Sequence, residues 1–318
     1  MNEEIILAPM EGVLDYYLRK LITSINQYDY CVSEFIRVYG VVFPKKIFIR
    51  EVPELLTGGV TESGTPVWVQ LLGSEPEIMA KNAQVCASLG VKGIDLNFGC
   101  PSKFVHRSNG GAAMLKNPPL LGEIVRRVRD ALPSEIPLST KIRLGWSSKD
   151  EVGEIFSRCI ENGAQRVIIH ARTKEDGYKP NTVKWEEITK LVKSAPQIKV
   201  TANGDIIDRV SAEKCMQITN TQSLMVGRYA IARPNLERMI RDNVNPLNHE
   251  EIASLLLRYL DILEGNMTEH YQKARTKQFF GFIRLAYKEL NDIFKELCHE
   301  EEILGMRKVI EKIPSIPD

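Results

Sequence analysis

The 318-residue chain contains no Cys-x-x-Cys pair, no histidine and cysteine grouping at metal-ligand spacing, and no apolar run near the roughly 20 residues of a membrane helix. The first two absences leave no metal to expect, and the third leaves no membrane span. Its six cysteines (Cys31, Cys86, Cys100, Cys159, Cys215, Cys298) are scattered, and a reducing, cytoplasmic compartment is the simplest reading. A surplus of one charge sign is missing too. Lys and Arg number 42 against 41 Asp and Glu, a net charge of +1, without the basic excess by which many nucleic-acid binders show themselves. The acidic N-terminus ahead of a short apolar stretch does not fit a signal peptide. No Gly-x-Gly-x-x-Gly turn follows that stretch, where Pro9-Met10-Glu11-Gly12 stands instead, and this argues against an open dinucleotide-binding sheet.

What is present is an alternation. Hydrophobic residues at 43% suffice for a packed core. Short apolar runs predict eight strands: Ile5 to Ala8, Tyr28 to Ser33, Pro66 to Leu72, Gly93 to Asn97, Leu138 to Arg143, Arg166 to His170, Ile198 to Ala202, and Leu224 to Gly227. Helical patterns separate most of them. One runs from Leu14 to Ile25; another has Ser74 as N-cap, Pro76 in its first turn and Gly90 as its stop; a third spans Asp150 to Asn162. Eight such units over about 240 residues match a (β/α)8 TIM barrel. After Pro234 the character changes, and Pro246 and Asn248 mark a linker. Asn248 and Glu251 form a capping box, a helix runs to Gly265, a second is expected from Thr268 to Leu290, and two shorter ones follow. The division expected is a catalytic barrel over 1–244 and a helical domain over 245–318. The latter carries ten basic and thirteen acidic residues.

In such a barrel the C-terminal strand ends share one mouth, where catalytic groups gather. Those ends supply Pro9, Met10 and Glu11; Glu34 and Arg37; Gln70; Asn97 and Cys100; Lys141 and Arg143; His170 and Arg172; Asn203, Gly204 and Asp205; and Gly227 and Arg228. Cys100 ends a strand, with Gly99 breaking the alternation and Pro101 turning the chain away. An isolated cysteine is more often a small buried hydrophobe, and strand-end lysines and arginines are usually solvated. It is their convergence that suggests a site. Asn203-Gly204 and Gly227-Arg228 put small residues, backbone N–H groups and a guanidinium where this fold often binds phosphate. Lys141, His170 and Gln70 are placed to hold a heteroaromatic ring, and a lysine near a flavin would stabilise its anionic reduced form.

With these residues in view the sequence resembles the tRNA-dihydrouridine synthases. The matching segments are Leu7-Ala8-Pro9-Met10-Glu11-Gly12, Asp95-Leu96-Asn97-Phe98-Gly99-Cys100-Pro101, Lys141-Ile142-Arg143-Leu144-Gly145, His170-Ala171-Arg172-Thr173, Asn203-Gly204-Asp205-Ile206 and Gly227-Arg228. Glu34-Phe35-Ile36-Arg37-Val38, Arg143-Leu144-Gly145-Trp146 and Ala274-Arg275-Thr276-Lys277-Gln278 resemble the bacterial subfamily acting on uridine 16 of the D-loop. Two departures are Ala171 where glycine is usual and Tyr229 where a small residue is common. The resemblance implies an FMN-containing barrel, NADPH as reductant, a helical tRNA-binding domain and a monomer. It assigns the flavin site to Pro9, Met10, Glu11, Gln70, Lys141, His170, Arg172, Asn203, Gly204, Asp205, Gly227 and Arg228, and the proton for uridine C5 to Cys100. An ordinary thiol is about 97% protonated at pH 7, so the acid is present without tuning. The resemblance also implies that Arg37, Asn97, Tyr178, Arg275 and Lys277 meet the tRNA.

On helical spacing alone, Lys273, Lys277, Arg284 and Lys288 share one face, which is either a basic stripe or a solvated one. Arg275 lies nearly opposite, among Phe279, Phe282 and Ala286, where a packing residue is expected. Two rival readings remain. One is a flavin reductase acting on a free dihydropyrimidine or enone, against which the helical domain speaks. The other is a non-catalytic tRNA-binding module, against which Cys100, Lys141, His170 and Arg228 speak.

Overall fold

The computed structural model describes residues 3–102 and 110–316; Lys103, next to the strand-four motif, lies outside them. The eight strands are β1 (Glu4–Leu7), β2 (Tyr30–Arg37), β3 (Val67–Leu72), β4 (Ile94–Asn97), β5 (Leu138–Arg143), β6 (Arg166–His170), β7 (Lys199–Asn203) and β8 (Ser223–Val226). Each runs parallel to the next, and β8 returns to β1 with Glu4 opposite Ser223 and Leu7 opposite Val226. The barrel is closed, so the open-sheet alternative falls. Strands covered on both faces read as continuous apolar runs, which is why Val167-Ile168-Ile169 is wholly buried. Inside the barrel, Ile6, Tyr30, Val32, Trp68, Ile168 and Met225 pack into a small core of their own. Tyr30 and Trp68 stack with ring centres 4.4 Å apart. Gly93 lets this happen, since a Cβ there would sit 2.3 Å from the Trp68 ring.

Around the barrel lie α1 (Tyr16–Ser24), α2 (Lys45–Glu51), α3 (Pro76–Ala87), α4 (Pro118–Ala131), α5 (Val152–Glu161), α6 (Trp185–Ser194), α7 (Arg209–Thr219), α8 (Arg228–Ala232) and α9 (Leu236–Asp242). β2 is longer than expected and carries Glu34 and Arg37 within it. A register shift between Val32 and Phe35 re-aims the strand there, which apolar patterning does not announce. The N-cap of α3 is Glu75 and not Ser74, with Pro76 in the first turn as expected.

The C-terminal helices are α10 (His249–Leu263), α11 (Glu269–Ile283), α12 (Asn291–His299) and α13 (Ile303–Ile310). The capping box forms: Glu251 N–H donates to Asn248 Oδ1 at 2.9 Å, and Asn248 N–H to Glu251 Oε2 at 2.8 Å. α10 packs on α1 and α11 on α8. The second of these helices stops at Ile283 and not at Leu290. Gly281 lies in its last turn, and no glycine or proline follows the stop. The chain turns there so that α12 folds back and Phe294 meets Phe280 edge to face at 5.5 Å, a tertiary contact overriding helical propensity. Lys288 therefore falls in a separate 3-10 turn, and the four-residue stripe is not one helix face. Lys273 and Lys277 donate to the carbonyls of Glu301 and of Cys298 and Glu300, capping the end of α12.

Candidate active site

The C-terminal strand ends enclose a cavity of about 420 Å³, a size that takes a cofactor or small ligand. Every residue assigned above to the cofactor lines it, together with Cys100, Asn97 and Tyr178. Arg37, Arg275 and Lys277 do not. The C-terminal helices contribute Phe282 to the wall.

Cys100 is placed by its backbone. Asn97, the last residue of β4, accepts from the N–H groups of Gly99 (3.0 Å) and Cys100 (2.9 Å), and this side-chain turn takes the chain out of the strand. Arg143, buried at the end of β5, donates to the Gly99 carbonyl at 2.8 Å and reaches the carbonyls of Thr173 and Gly177, each at 3.0 Å. Ala112 N–H closes on the Cys100 carbonyl at 3.0 Å. Burial raises the Cys100 pKa above its ordinary value, against a smaller lowering by the Ser102 N–H. The group in the cavity at neutral pH is thus the thiol.

Lys141 Nζ donates to Asn203 Oδ1 at 3.2 Å, and Asn203 passes its own N–H to the Met225 carbonyl at 2.8 Å. Burial first and Arg143 second lower the lysine pKa from 10.5 to about 8. His170 is held well below its usual pKa by burial and then by Arg143, Lys141, Arg172 and Arg228. It is a neutral imidazole with one donor and one acceptor. At the rim the Glu11 carboxyl is raised to about 7, by desolvation and then by Glu34 and Glu51.

At the ends of β7 and β8, Gly204 has φ +126°, and a Cβ there would lie 3.2 Å from His170 Cδ2. A Cβ at Gly227 would lie 3.3 Å from that of Ala8. Both glycines keep the cavity floor clear. Asp205 takes Arg172 in a bidentate pair (2.5 and 3.0 Å) and Arg228 at 3.1 Å. The two arginines differ. Arg172 is buried and also donates to Thr182 and the Lys179 carbonyl, whereas Arg228 is partly exposed and makes only the Asp205 hydrogen bond among the described residues. Arg228 is the guanidinium with capacity for an anion; Asp205 and Arg172 brace it.

The residues matched to tRNA divide. Tyr178 is 58% exposed at the mouth, its ring 5.2 Å from the Arg143 guanidinium and 5.8 Å from the ring of His170. Arg37 ends β2, 5.5 Å from the Tyr39 ring. Arg275 is buried, and its guanidinium pairs with Asp15 at 2.8 Å and donates to the carbonyls of Gly12 (2.6 Å) and Val13 (2.5 Å). The packing role read from helix geometry is the one the structure gives it.

Two residues of the site carry no role on sequence grounds. Arg143 reads there only as a strand end, and Asp95 only as half of an alternation. The available signal was that alternation itself: Asp95 shares its strand face with Asn97, so a carboxylate had to lie inside the barrel.

Known proteins resemble this chain. Residues 6–305 match the family model for dihydrouridine synthase (Dus). The chain belongs to the dihydrouridine synthase family. Relatives named tRNA-dihydrouridine(16) synthase include one from Shewanella oneidensis, 47% identical over 92% of this chain and 92% of its own. Another, from Vibrio parahaemolyticus, is 45% identical over 92% and 91%, and one from Haemophilus ducreyi is 44% identical over 97% and 94%. Among solved structures the barrel of this dihydrouridine synthase is similar to an aldolase (TM-score 0.51, 14% identity, 76% of this chain and 96% of that one). It is also similar to a histamine dehydrogenase from Rhizobium sp. 4-9 (TM-score 0.53, 13% identity, 76% and 46%). Those two likenesses speak to the fold alone. No helix among the described residues is long and apolar enough to cross a membrane.

The depressed lysine pKa carries a prediction. Since Lys141 binds its proton less tightly in the folded protein than in the unfolded chain, its charge weakens the fold below about pH 8. Stability of the flavin-free protein should therefore rise as pH climbs from about 8 toward 10.5. Lys141→Met should remove that rise and stabilise the flavin-free protein at pH 7 by about 1–2 kcal/mol, the usual trade of stability for a functional charge. Denaturant melts at pH 7 and pH 9.5 check both expectations.

Proposed function

We propose that this protein reduces uridine 16 of the tRNA D-loop to 5,6-dihydrouridine, using FMN that NADPH reduces. The single observation carrying the reading is that Cys100, as a thiol, faces the same cavity as Lys141, His170 and Arg228 at the barrel mouth. The names of the relatives point to the same substrate.

The cavity residues fit a flavin mononucleotide. Arg228, backed by Asp205, offers a cation to one phosphate, and the glycines Gly204 and Gly227 leave a floor on which a flat ring can lie. Lys141 and the amide of Gln70 offer donors along its edge, and Asn97 lies beside them for the substrate. A reduced flavin held there would supply the hydride for uridine C6. The chain does the rest. Cys100 delivers its proton to C5 from a thiol that burial keeps protonated. Lys141, whose proton burial loosens, balances negative charge at the ring edge, and neutral His170 donates without adding a cation. The target base must leave its stack, at a cost of a few kcal/mol, and exposed Tyr178 at the mouth offers a face to receive it. The helices over 245–318 form the second wall through Phe282.

The purified protein should be yellow. Acid should release FMN and not FAD, and NADPH with a tRNA transcript should yield dihydrouridine at position 16 by mass mapping. Release of FAD, or reduction confined to free uracil, would transfer the assignment to a metabolite reductase.

A further inference from the structure

Two lysines from different parts of the chain stand over the ring of Trp146. Lys116 Nζ is 3.7 Å and Lys174 Nζ 4.2 Å from the ring centre. Lys116 closes the 3-10 turn Gly111–Lys116. Lys174 lies in the loop between β6 and α6, where its N–H donates to the Gly145 carbonyl at 2.9 Å. Among the described residues neither ammonium makes a hydrogen bond or an ion pair. Carboxylates are close by, since Glu151, Glu154 and Glu175 line one hollow with Lys116 and Trp146. Glu151 is engaged by the N–H groups of Trp146 and Ser148, at 2.7 and 3.0 Å, and Glu154 faces Arg158 at 3.9 Å. That leaves exposed Glu175 as one carboxylate against two ammoniums. An aromatic face attracts a cation through its quadrupole and takes no directed N–H bond from it. Trp146 therefore fixes where the two charges stand and leaves their donors open.

The place is the rim of the mouth. Trp146 follows β5 and Lys174 follows β6, both on the C-terminal side of the barrel. The turn that ends in Lys116 is tied near its start to the Cys100 carbonyl through the Ala112 N–H, at 3.0 Å. Lys174 shares a loop with exposed Tyr178, and Arg143 pins that loop at the carbonyls of Thr173 and Gly177. None of Lys116, Trp146 and Lys174 lines the cavity, so these charges face something outside it. We propose that Trp146 holds Lys116 and Lys174 as a preset phosphate contact for the RNA backbone, beside the nucleotide whose base enters the mouth. This contact deepens the proposed reduction of a tRNA uridine, on which it rests, by giving the barrel its own grip on the strand. A net charge of +1 supplies no broad attraction for RNA. Arg275 is engaged by Asp15, and Lys277 by the carbonyls of Cys298 and Glu300. A few cations ordered in advance can still bind well, because their side chains lose little further freedom when the phosphate arrives.

Binding of a tRNA transcript to the flavin-loaded protein, followed across salt concentrations, tests both the charges and their placement. The double variant Lys116→Gln, Lys174→Gln should bind about tenfold more weakly at low salt. Its log–log salt slope should shrink by about one to two, since each phosphate-neutralising cation carries slightly less than one. In turnover the loss should appear as a raised KM for tRNA, while flavin content, melting temperature and flavin reduction by NADPH stay as in wild type. Trp146→Leu keeps both charges and removes only their platform. The loop should survive it, because the bonds of Trp146 to Glu151 and Glu175 are made by its backbone. It should bind about threefold more weakly with the slope nearly unchanged, and Trp146→Phe, which restores an aromatic face, should recover most of that loss.

Wild-type affinity and slope in the double lysine variant would overturn the contact. So would equal binding by Trp146→Leu and Trp146→Phe, which would leave the ring no part in placing the charges. Slower flavin reduction by NADPH in the double lysine variant would overturn it as well, since the phosphate held there would then be the coenzyme's. If the wild type binds the transcript with the lysine-dependent slope yet makes no dihydrouridine, the uridine reading fails and the contact stands. If the wild type makes dihydrouridine and the double lysine variant binds tRNA equally well, the uridine reading stands and the contact fails.

Discussion

Cys100→Ala should abolish dihydrouridine formation, by about 10²–10⁴-fold as expected for loss of a general acid, and leave flavin content and NADPH oxidation near wild type. The split follows from where the thiol sits. Cys100 is positioned through its backbone by Asn97, Arg143 and Ala112, so removing Sγ leaves those backbone contacts in place and gives up the one with the Ser102 N–H. The loss falls on proton delivery alone. Burial raises the thiol pKa, so wild-type turnover should hold through neutrality and decline only as pH rises past the ordinary thiol range. Cys100→Ser should fall between the two, since a hydroxyl is a far weaker acid in the same place. Single-turnover assays with pre-reduced flavin, run beside anaerobic flavin reduction, measure both halves. Near wild-type product from the alanine variant would mean that water or another group delivers the proton.

Arg275→Glu should destabilise the protein by about 3–5 kcal/mol, the cost of breaking a buried charge pair from one side. For a chain of this size that lowers Tm by about 6 °C or more. The guanidinium joins the C-terminal helices to the β1–α1 turn through Asp15, Gly12 and Val13. Tyr271 adds a hydrogen bond to the same Asp15 at 2.9 Å. A carboxylate in its place would face Asp15 and two carbonyls, with Glu34 also nearby. Because Pro9, Met10 and Glu11 of the same turn line the cavity, flavin affinity should fall as well. Contact with tRNA alone would leave flavin binding untouched, and this separates the two roles. Lys277→Glu removes only a cap on α12 and should cost about 1 kcal/mol. A double reversal at Lys190 and Lys193 on α6 should change little, since among the described residues Lys190 pairs only with Glu187 on that helix. Thermal melts and flavin titration of these variants check the order. Equal flavin affinity in Arg275→Glu and wild type would show that the turn does not depend on the clamp.

The barrel was legible in the sequence because its signals are local. Each strand is a short apolar run bounded by polar or glycine punctuation, and burial on both faces leaves little freedom in how such a run folds. β5 and β6 fall where the residues alone put them. The convergence of Cys100, Lys141, His170 and Arg228 was legible too, since a parallel barrel delivers every C-terminal strand end to one mouth. What a side chain does on arrival depends on neighbours far away in sequence, and that only the tertiary structure decided. Arg172 and Arg228 read alike in the chain, but Asp205, Thr182 and the Lys179 carbonyl consume the first and leave the second open. The helix after Thr268 carries only Gly281 in its last turn as a local signal, and Phe294 packs over that glycine and against Phe280 where the helix stops. Arg275 stands 260 residues from Asp15, and whether its charge meets RNA or the barrel is settled by how α11 packs, because a guanidinium serves the nearest unneutralised acceptors in the dry interface that forms around it.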